Sequence, residues 1–203
     1  MKRKITFVTI SLLFILGFIS NSLNAKTMLT QEKALKEMFP DADQIVSETV
    51  VPTVAELEEI KSRLGGQLVH YQKGSESENV EEKTEFTFYY GMKDGKKTGV
   101  AVIEEQPGKW GPVLYIILVD LTDAKVKNLA VMSYREKRGR PIARRSFLKQ
   151  FINKGSEDPI KVRKDIRAIS GATISSDATC FAVKKVVVVV EEMLLKEQLS
   201  LSK

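Results

Sequence analysis

Apolar residues near the start of the chain recur at helical spacing in two segments, and each segment follows a threonine. Thr30 and Thr53 are good N-cap residues, because a threonine hydroxyl can accept a hydrogen bond from a first-turn N–H group. Pro40 ends the first segment, and the pair Gly65-Gly66 ends the second. We therefore predict two helices here, with a strand over residues 44–51 between them.

The middle of the chain has the two-residue alternation of β-strands. It follows a polar stretch, residues 74–83, that we interpret as a surface loop. Lys93-Asp94-Gly95-Lys96 is typical of a hairpin turn. The pattern predicts strands over residues 84–90, 98–104, 113–121 and 126–132. With the earlier strand, these form an antiparallel meander of about four to five strands.

The last apolar segment is ambiguous, because Val186 to Val190 are five β-branched residues and such runs favour strands. The valines and Leu194 nevertheless share a helical face, with Lys184, Lys185, Glu191 and Glu192 placed off it. Ser175, Ser176 and Asp177 are candidate N-cap residues. We predict a long helix over residues 177–197, a shorter one beginning within residues 147–151, and an α+β fold.

The first 25 residues have the three parts of a secretory signal peptide. A basic start, Lys2-Arg3-Lys4, precedes an apolar run over residues 5–19 and a small-residue end at Ala25. We predict cleavage after Ala25, with an uncleaved anchor through residues 5–19 as the alternative. The mature chain would be exported to the periplasm or another extracytoplasmic space. Residues 26–203 would be a single domain with an N-terminal helical extension over about residues 28–66.

Composition excludes several classes of function. The formal charge is +6, and loss of the three basic residues of the acid-free segment 1–25 leaves about +3. This mild charge favours solubility and an acidic partner, and does not indicate nucleic-acid binding. One cysteine, Cys180, and one histidine, His70, cannot build a multi-ligand Cys/His metal site. We interpret Cys180 as a buried apolar residue.

The most informative stretch is Ser170-Gly171-Ala172-Thr173, directly before the last helix. Gly171 permits unusual backbone angles and close approach of a ligand. A helix N-terminus offers N–H groups and the positive end of the helix dipole, which suit a phosphate. Ser170 and Ser175 are candidate hydrogen-bond donors to that phosphate. The Thr173 hydroxyl could also be esterified to it.

This stretch resembles the FMN-binding domain family, which includes the flavin subunits of the Na+-pumping NADH:quinone oxidoreductase and of the Rnf complex, and stand-alone exported flavoproteins. The resemblance extends over most of residues 28–197. It rests there on the order of the elements, which is a strand, a Glu-containing loop, a Phe-containing helix, a basic linker and a long helix. Many members have an acid three residues before the serine, where this chain has Arg167. The nearest acid here is Asp165.

The resemblance implies that Thr173 carries FMN through a phosphodiester, installed from FAD by a FAD:protein FMN transferase, and that Ser170, Gly171 and Ala172 complete the attachment turn. It also places the loop with Glu136 and Arg138 on the flavin side, where arginines would balance negative charge. A solvated basic loop is the alternative. Trp110 is a candidate for stacking on the flavin, although a tryptophan in a Gly/Pro turn more often covers a core edge.

No catalytic dyad, triad or metal cluster is visible, so an electron carrier is favoured over an enzyme with its own substrate. Its redox partner would be a protein such as a cytochrome or a membrane oxidoreductase. Three alternatives stay open. The chain could be a non-covalent phosphate- or ligand-binding module, a structural exported protein, or a flavin-dependent reductase of an external acceptor.

Overall fold

The computed structural model describes residues 26–77, 80–135 and 141–196, and its centre is a six-stranded antiparallel sheet. The strands are β1 (Lys26–Thr27), β2 (Gln44–Val50), β3 (Phe86–Lys93), β4 (Lys96–Pro107), β5 (Pro112–Val119) and β6 (Val126–Tyr134). Their order is β1-β6-β5-β4-β3-β2, so β2 to β6 form a continuous meander. The predicted α+β class and meander are confirmed. The two-residue β1, which pairs with the end of β6, is an addition that the sequence did not indicate.

Four helices accompany the sheet: α1 (Gln31–Met38), α2 (Val54–Arg63), α3 (Arg145–Leu148) and α4 (Thr173–Val190). Short 3-10 turns cover Pro141–Ala143 and Lys149–Phe151, and a π-helical turn, Glu191–Leu195, continues α4. Both threonine caps are present. Thr30 accepts from the Lys33 N–H group, and Thr53 forms a reciprocal capping box with Glu56.

The two faces of the sheet bury different helices. On one face lie α2 and α4, packed on a core that includes Val100, Val102 and Tyr115. On the other face α1 packs against a smaller cluster that includes Ala101 and Ile116. Val100 and Val102 belong to the first cluster and Ala101 to the second, because successive side chains of a β-strand point to opposite faces of the sheet. The strand β2 pairs with β3 along all seven of its residues and forms one edge of the sheet.

The valine run is helical because burial outweighs its strand preference. Val186 to Val190 are each at most 1% exposed, and the 18-residue helix α4 is buried on nearly all sides. The prediction that Lys185 and Glu192 lie off the buried face was wrong, since both are buried. Their charged ends reach Glu104 and Arg63, and these partners make the burial tolerable. No helix in the described ranges has the length and apolar character of a membrane span.

The start of α4 also differs from the prediction. The helix begins at Thr173, four residues earlier than expected, and its N-cap residue is Ala172, without a side-chain cap. The N-cap roles predicted for Ser175, Ser176 and Asp177 were therefore wrong. Ser176 makes other contacts, described below, which hold the preceding turn and let the helix start earlier.

Candidate functional site

The turn before α4 presents a threonine on the surface. Ser170, Gly171 and Thr173 are exposed, whereas Ala172 is buried. Gly171 has φ +77°, a left-handed conformation that a side chain disfavours, as predicted from its place in the motif. The Ala172 N–H donates to the Ile169 carbonyl at 2.9 Å and closes the turn. Thr173 is thus the first residue of α4, with its hydroxyl-bearing side chain in solvent.

Ser176 holds this turn from inside. Its Oγ donates to the Ala172 carbonyl at 2.8 Å and accepts from the Ile169 N–H at 3.2 Å. The residue is 0% exposed, so neither bond competes with bulk water. This role was not predicted from the sequence, although a serine in the first turns of a helix commonly bonds back to the carbonyl of residue i−4. The exposed turn and the buried Ser176 form one hydrogen-bonded unit.

Ser175 occupies a different place from the one expected of a phosphate ligand. Its side chain is 0% exposed and lies under the β4–β5 turn, where a Cβ built on Gly108 would be 3.9 Å from its Oγ. The structure therefore brings Ser170 and Thr173 together at the surface and places the Ser175 side chain in the interior.

Residues 72–75, at the start of the polar segment predicted as a surface loop over residues 74–83, pack over the first turn of α4 and the β4–β5 turn. The Gln72 side-chain amide donates to the Ile174 carbonyl at 2.9 Å. Gly74, at φ +87°, lies against Ile174, since a Cβ placed there would be 3.5 Å from Ile174 Cδ1. The Ser75 hydroxyl donates to the carbonyl of Gly108 in the β4–β5 turn. This loop is an element of the site that no sequence motif indicated.

The chain leading into the turn is fixed by Asp165. Its carboxylate accepts from the N–H groups of Ile160 at 3.1 Å and Lys161 at 2.8 Å, and pairs with Lys154 at 2.9 Å. Partial burial opposes ionisation, but the Lys154 ammonium and the two N–H groups together lower the pKa of Asp165. Asp165, the nearest acid before the Ser170–Thr173 turn, therefore organises the loop that leads into it.

Trp110, a further candidate for the flavin side, lies in the β4–β5 turn. Trp110 is half-buried there, with the Lys109 ammonium 4.7 Å from its ring centre. The Arg135 side chain packs beside Gly111 of the same turn. Glu136 and Arg138, which the sequence analysis proposed for the flavin side, lie outside the described residues.

Cys180 and His70 are the one cysteine and the one histidine of the chain, and both contact neighbouring residues in ways that favour a structural role. Cys180 is 3% exposed, and burial, together with the nearby charges of Asp177 and Asp165, raises the pKa of its thiol to about 12. This agrees with its interpretation as a buried apolar residue. His70, to which the sequence analysis gave no role, stacks on Phe181 with ring centres 5.1 Å apart.

The geometry suits a phosphate at Thr173. The N-cap residue of α4 is Ala172, whose methyl side chain cannot cap the helix, and the N–H groups of Thr173 and Ile174 have no acceptor within the helix. The positive end of the dipole of this 18-residue helix faces the same exposed turn. A phosphate ester on the Thr173 oxygen would lie where backbone donors and the dipole both favour negative charge.

Comparisons with known proteins identify the family and the fold of the chain. The model of the FMN-binding domain family matches residues 83–188, which is just over half of the chain. The crystal structure of Shewanella oneidensis NqrC superposes with a TM-score of 0.50 at 13% sequence identity, covering 81% of this chain and 88% of that chain. At this identity the likeness shows a shared fold. No curated protein sequence is significantly similar to the chain. The resemblance predicted from residues 170–173 is confirmed, and the chain belongs to the FMN-binding domain family.

Proposed function

We propose that this protein carries FMN covalently on Thr173 through a phosphodiester and passes electrons between redox partners. One observation carries the proposal. Thr173 is an exposed threonine at the first position of an 18-residue helix whose N-cap is an alanine, two residues after a left-handed glycine. The family supplies the identity of the ligand, FMN.

The attachment exchanges one phosphorus–oxygen bond for another. The Thr173 Oγ1 forms a bond to the phosphorus on the FMN side of FAD, and the anhydride bond to the adenylate half breaks. AMP leaves, and the threonine proton is released. The reaction needs the exposed hydroxyl of Thr173 and a FAD:protein FMN transferase that can reach it.

Residues of the turn would then hold and orient the phosphate. Gly171 lets the backbone approach it, Ser170 offers an exposed hydroxyl, and the N-terminus of α4 stabilises its charge by general electrostatics. Bound FMN supplies one- and two-electron transfer chemistry. Trp110 and the loop with Glu136 and Arg138 are the candidates for contacts with its ring system.

Export of the protein would explain why the cofactor is linked covalently. The sequence of residues 1–25 predicts a secretory signal or an uncleaved anchor. Outside the cytoplasm a non-covalent cofactor would be lost by diffusion, whereas a phosphodiester keeps it on the chain. We place the mature protein in the periplasm or another extracytoplasmic space, with a cytochrome or a membrane oxidoreductase as its partner.

Intact-mass measurement after co-production with a FAD:protein FMN transferase tests the proposal. The expected gain is one FMN less one water, with peptide mapping to Thr173. Thr173→Val should abolish the gain while the far-ultraviolet circular dichroism stays unchanged. Ser170→Ala is the matched control, because it removes a neighbouring exposed hydroxyl and leaves the acceptor oxygen in place.

Other outcomes separate the alternatives. Yellow protein that loses its flavin on denaturation would establish non-covalent binding and exclude the phosphodiester. Unmodified protein beside an active transferase on a control substrate would leave the structural alternative. Full flavin incorporation in Thr173→Val would place the attachment elsewhere.

A further inference from the structure

A group of exposed cations adjoins the attachment turn. We name it the basic patch, and it consists of Arg144, Arg163, Lys164 and Arg167. These side chains line two adjoining depressions of about 800 Å³ and 200 Å³, which share Ser146, Gln150, Arg167 and Ala168 along their walls. None of the four cations forms an ion pair within the described part of the chain. The surface is therefore continuous and carries positive charge without internal compensation.

The acid that lines these depressions does not offset the patch. Asp165 is occupied by the Lys154 ammonium at 2.9 Å and by two backbone N–H groups. Its one negative charge is thus matched by a cation that is not a member of the basic patch. Four positive charges are left facing solvent, and charges of one sign on a concave surface focus the electrostatic field there.

The backbone that carries the patch is held in place by polar side chains. The Gln150 amide oxygen accepts from the Arg167 N–H at 2.9 Å, and the amide nitrogen donates to the Arg167 carbonyl at 3.3 Å. Arg163 has φ +65°, an unusual conformation for a residue with a side chain. The Arg163 N–H donates to the Ile166 carbonyl at 3.1 Å and keeps it there. The cations are presented on a fixed frame.

The patch is close to the proposed flavin site. Thr173 is six positions after Arg167, so their Cα atoms are at most about 22 Å apart even in an extended chain. Ile169, which lines the smaller depression, donates its N–H to Ser176 of the site itself. A macromolecule that covered the patch would sit beside the exposed turn.

We propose that the basic patch docks the acidic face of a soluble electron-transfer protein, an inference that rests on the proposed function. The four cations come from separate positions around α3 and the 163–167 loop, and all are exposed. Such a spread field suits a broad, complementary protein surface, whereas a small-anion site converges buried donors on one point. Electrostatic complementarity of this kind steers encounters and brings redox centres together quickly.

The test compares two charge-reversal variants with equal changes in net charge. Arg163→Glu/Lys164→Glu alters the patch, and Lys33→Glu/Lys96→Glu alters exposed lysines on α1 and the β3–β4 hairpin. The probe is a plant-type [2Fe–2S] ferredoxin, a small acidic electron carrier. Its binding is measured by calorimetry on flavin-free protein at low and physiological salt. Stopped flow then follows electron transfer from the reduced ferredoxin to the flavin-bearing protein.

The patch variant should bind ferredoxin on the order of tenfold more weakly at low salt, with a smaller salt dependence, while the control variant changes about twofold or less. Equal losses in both variants would mean that net charge alone matters and would overturn the proposal, as would no loss in either. Vesicles of phosphatidylglycerol and phosphatidylcholine are titrated in parallel. Binding to vesicles that depends on the patch, with unchanged ferredoxin binding, would assign it to a membrane and refute our inference. The intact mass of each variant reports FMN attachment separately, and the calorimetry does not require it.

Discussion

Lys185 Nζ lies 2.8 Å from Glu104 Oε1 in the interior, where α4 crosses β4. Both side chains are nearly inaccessible, at 3% and 8% exposure. The Gln106 amide also donates to Glu104 Oε1 at 2.7 Å and to the Leu68 carbonyl at 3.0 Å. This network ties the helix that begins with Thr173 to the centre of the sheet, and each member would be left with an unmet charge or hydrogen bond if its partner were removed.

Replacing Lys185 by methionine should lower the free energy of unfolding by about 3–5 kcal/mol, because Glu104 would be buried without its cation. The double variant Glu104→Gln/Lys185→Met should recover most of that loss, since glutamine keeps an acceptor for Gln106 and no charge remains. Urea denaturation measures both. Lys36→Met is the surface control, because the Lys36–Glu32 pair is largely exposed and its loss should leave the free energy of unfolding nearly unchanged. A double variant as unstable as the single one would contradict the account of the buried pair.

Ser176→Ala should destabilise the protein by about 1–3 kcal/mol and slow FMN attachment, although Thr173 is untouched. The variant leaves the Ile169 N–H without its acceptor and removes the bond to the Ala172 carbonyl. A time course of flavin incorporation, together with thermal unfolding, checks both effects. The exposed Ser146→Ala is the control and should change neither. Normal attachment kinetics in a destabilised Ser176→Ala protein would limit Ser176 to a role in stability.

Gly171→Ala should cost about 1–2 kcal/mol through its left-handed backbone and should reduce FMN attachment. Gly65→Ala is a closely matched control. Both glycines have φ +77°, and at both a Cβ would meet no atom within 4 Å. The two variants should therefore lose similar stability in urea, while only Gly171→Ala loses flavin by intact mass. Equal flavin content in the two would show that the conformation of Gly171 is unimportant for attachment.

The Cys180 thiol should be nearly inert in the folded protein. Burial, and after it the neighbouring carboxylates, raise the pKa of this thiol to about 12. The fraction of Cys180 that is ionised to the thiolate at pH 8 is therefore on the order of one in ten thousand. Iodoacetamide labelling, followed by mass spectrometry, should rise about tenfold per pH unit from pH 7 to 10 in native buffer. In urea the rate should instead level off near the ordinary thiol pKa. A native rate equal to the unfolded rate would show that the thiol is accessible.

Local sequence signals predicted the elements whose causes are local. The capping box of Thr53 and Glu56 involves residues three apart, and its helix was found where the pattern placed it. The hairpin turn around Asp94 and Gly95 likewise requires positive φ at both positions, and both have it. Gly171 belongs to the same class, since its conformation follows from its place in the turn.

The same local reasoning was wrong where a residue's position depends on contacts between distant parts of the chain. A lysine beside a helical apolar stripe is normally placed in solvent, and only Glu104, 81 residues away in sequence, makes burial of Lys185 possible. The different roles of Ser175 and Ser176 also depend on which groups each hydroxyl contacts in the fold. Both are serines at the start of α4, yet one faces the β4–β5 turn and the other closes the attachment turn.

The burial of Val186 to Val190 has a consequence for the order of events in biogenesis. A segment with five successive β-branched residues forms a helix poorly by itself, so α4 gains its helical structure chiefly by docking on the finished meander. We expect the Ser176 contacts and the helix dipole at Thr173 to form with that docking. If a transferase requires this geometry, flavin attachment follows folding, and yellow colour would distinguish folded, flavin-bearing chains from newly synthesised ones.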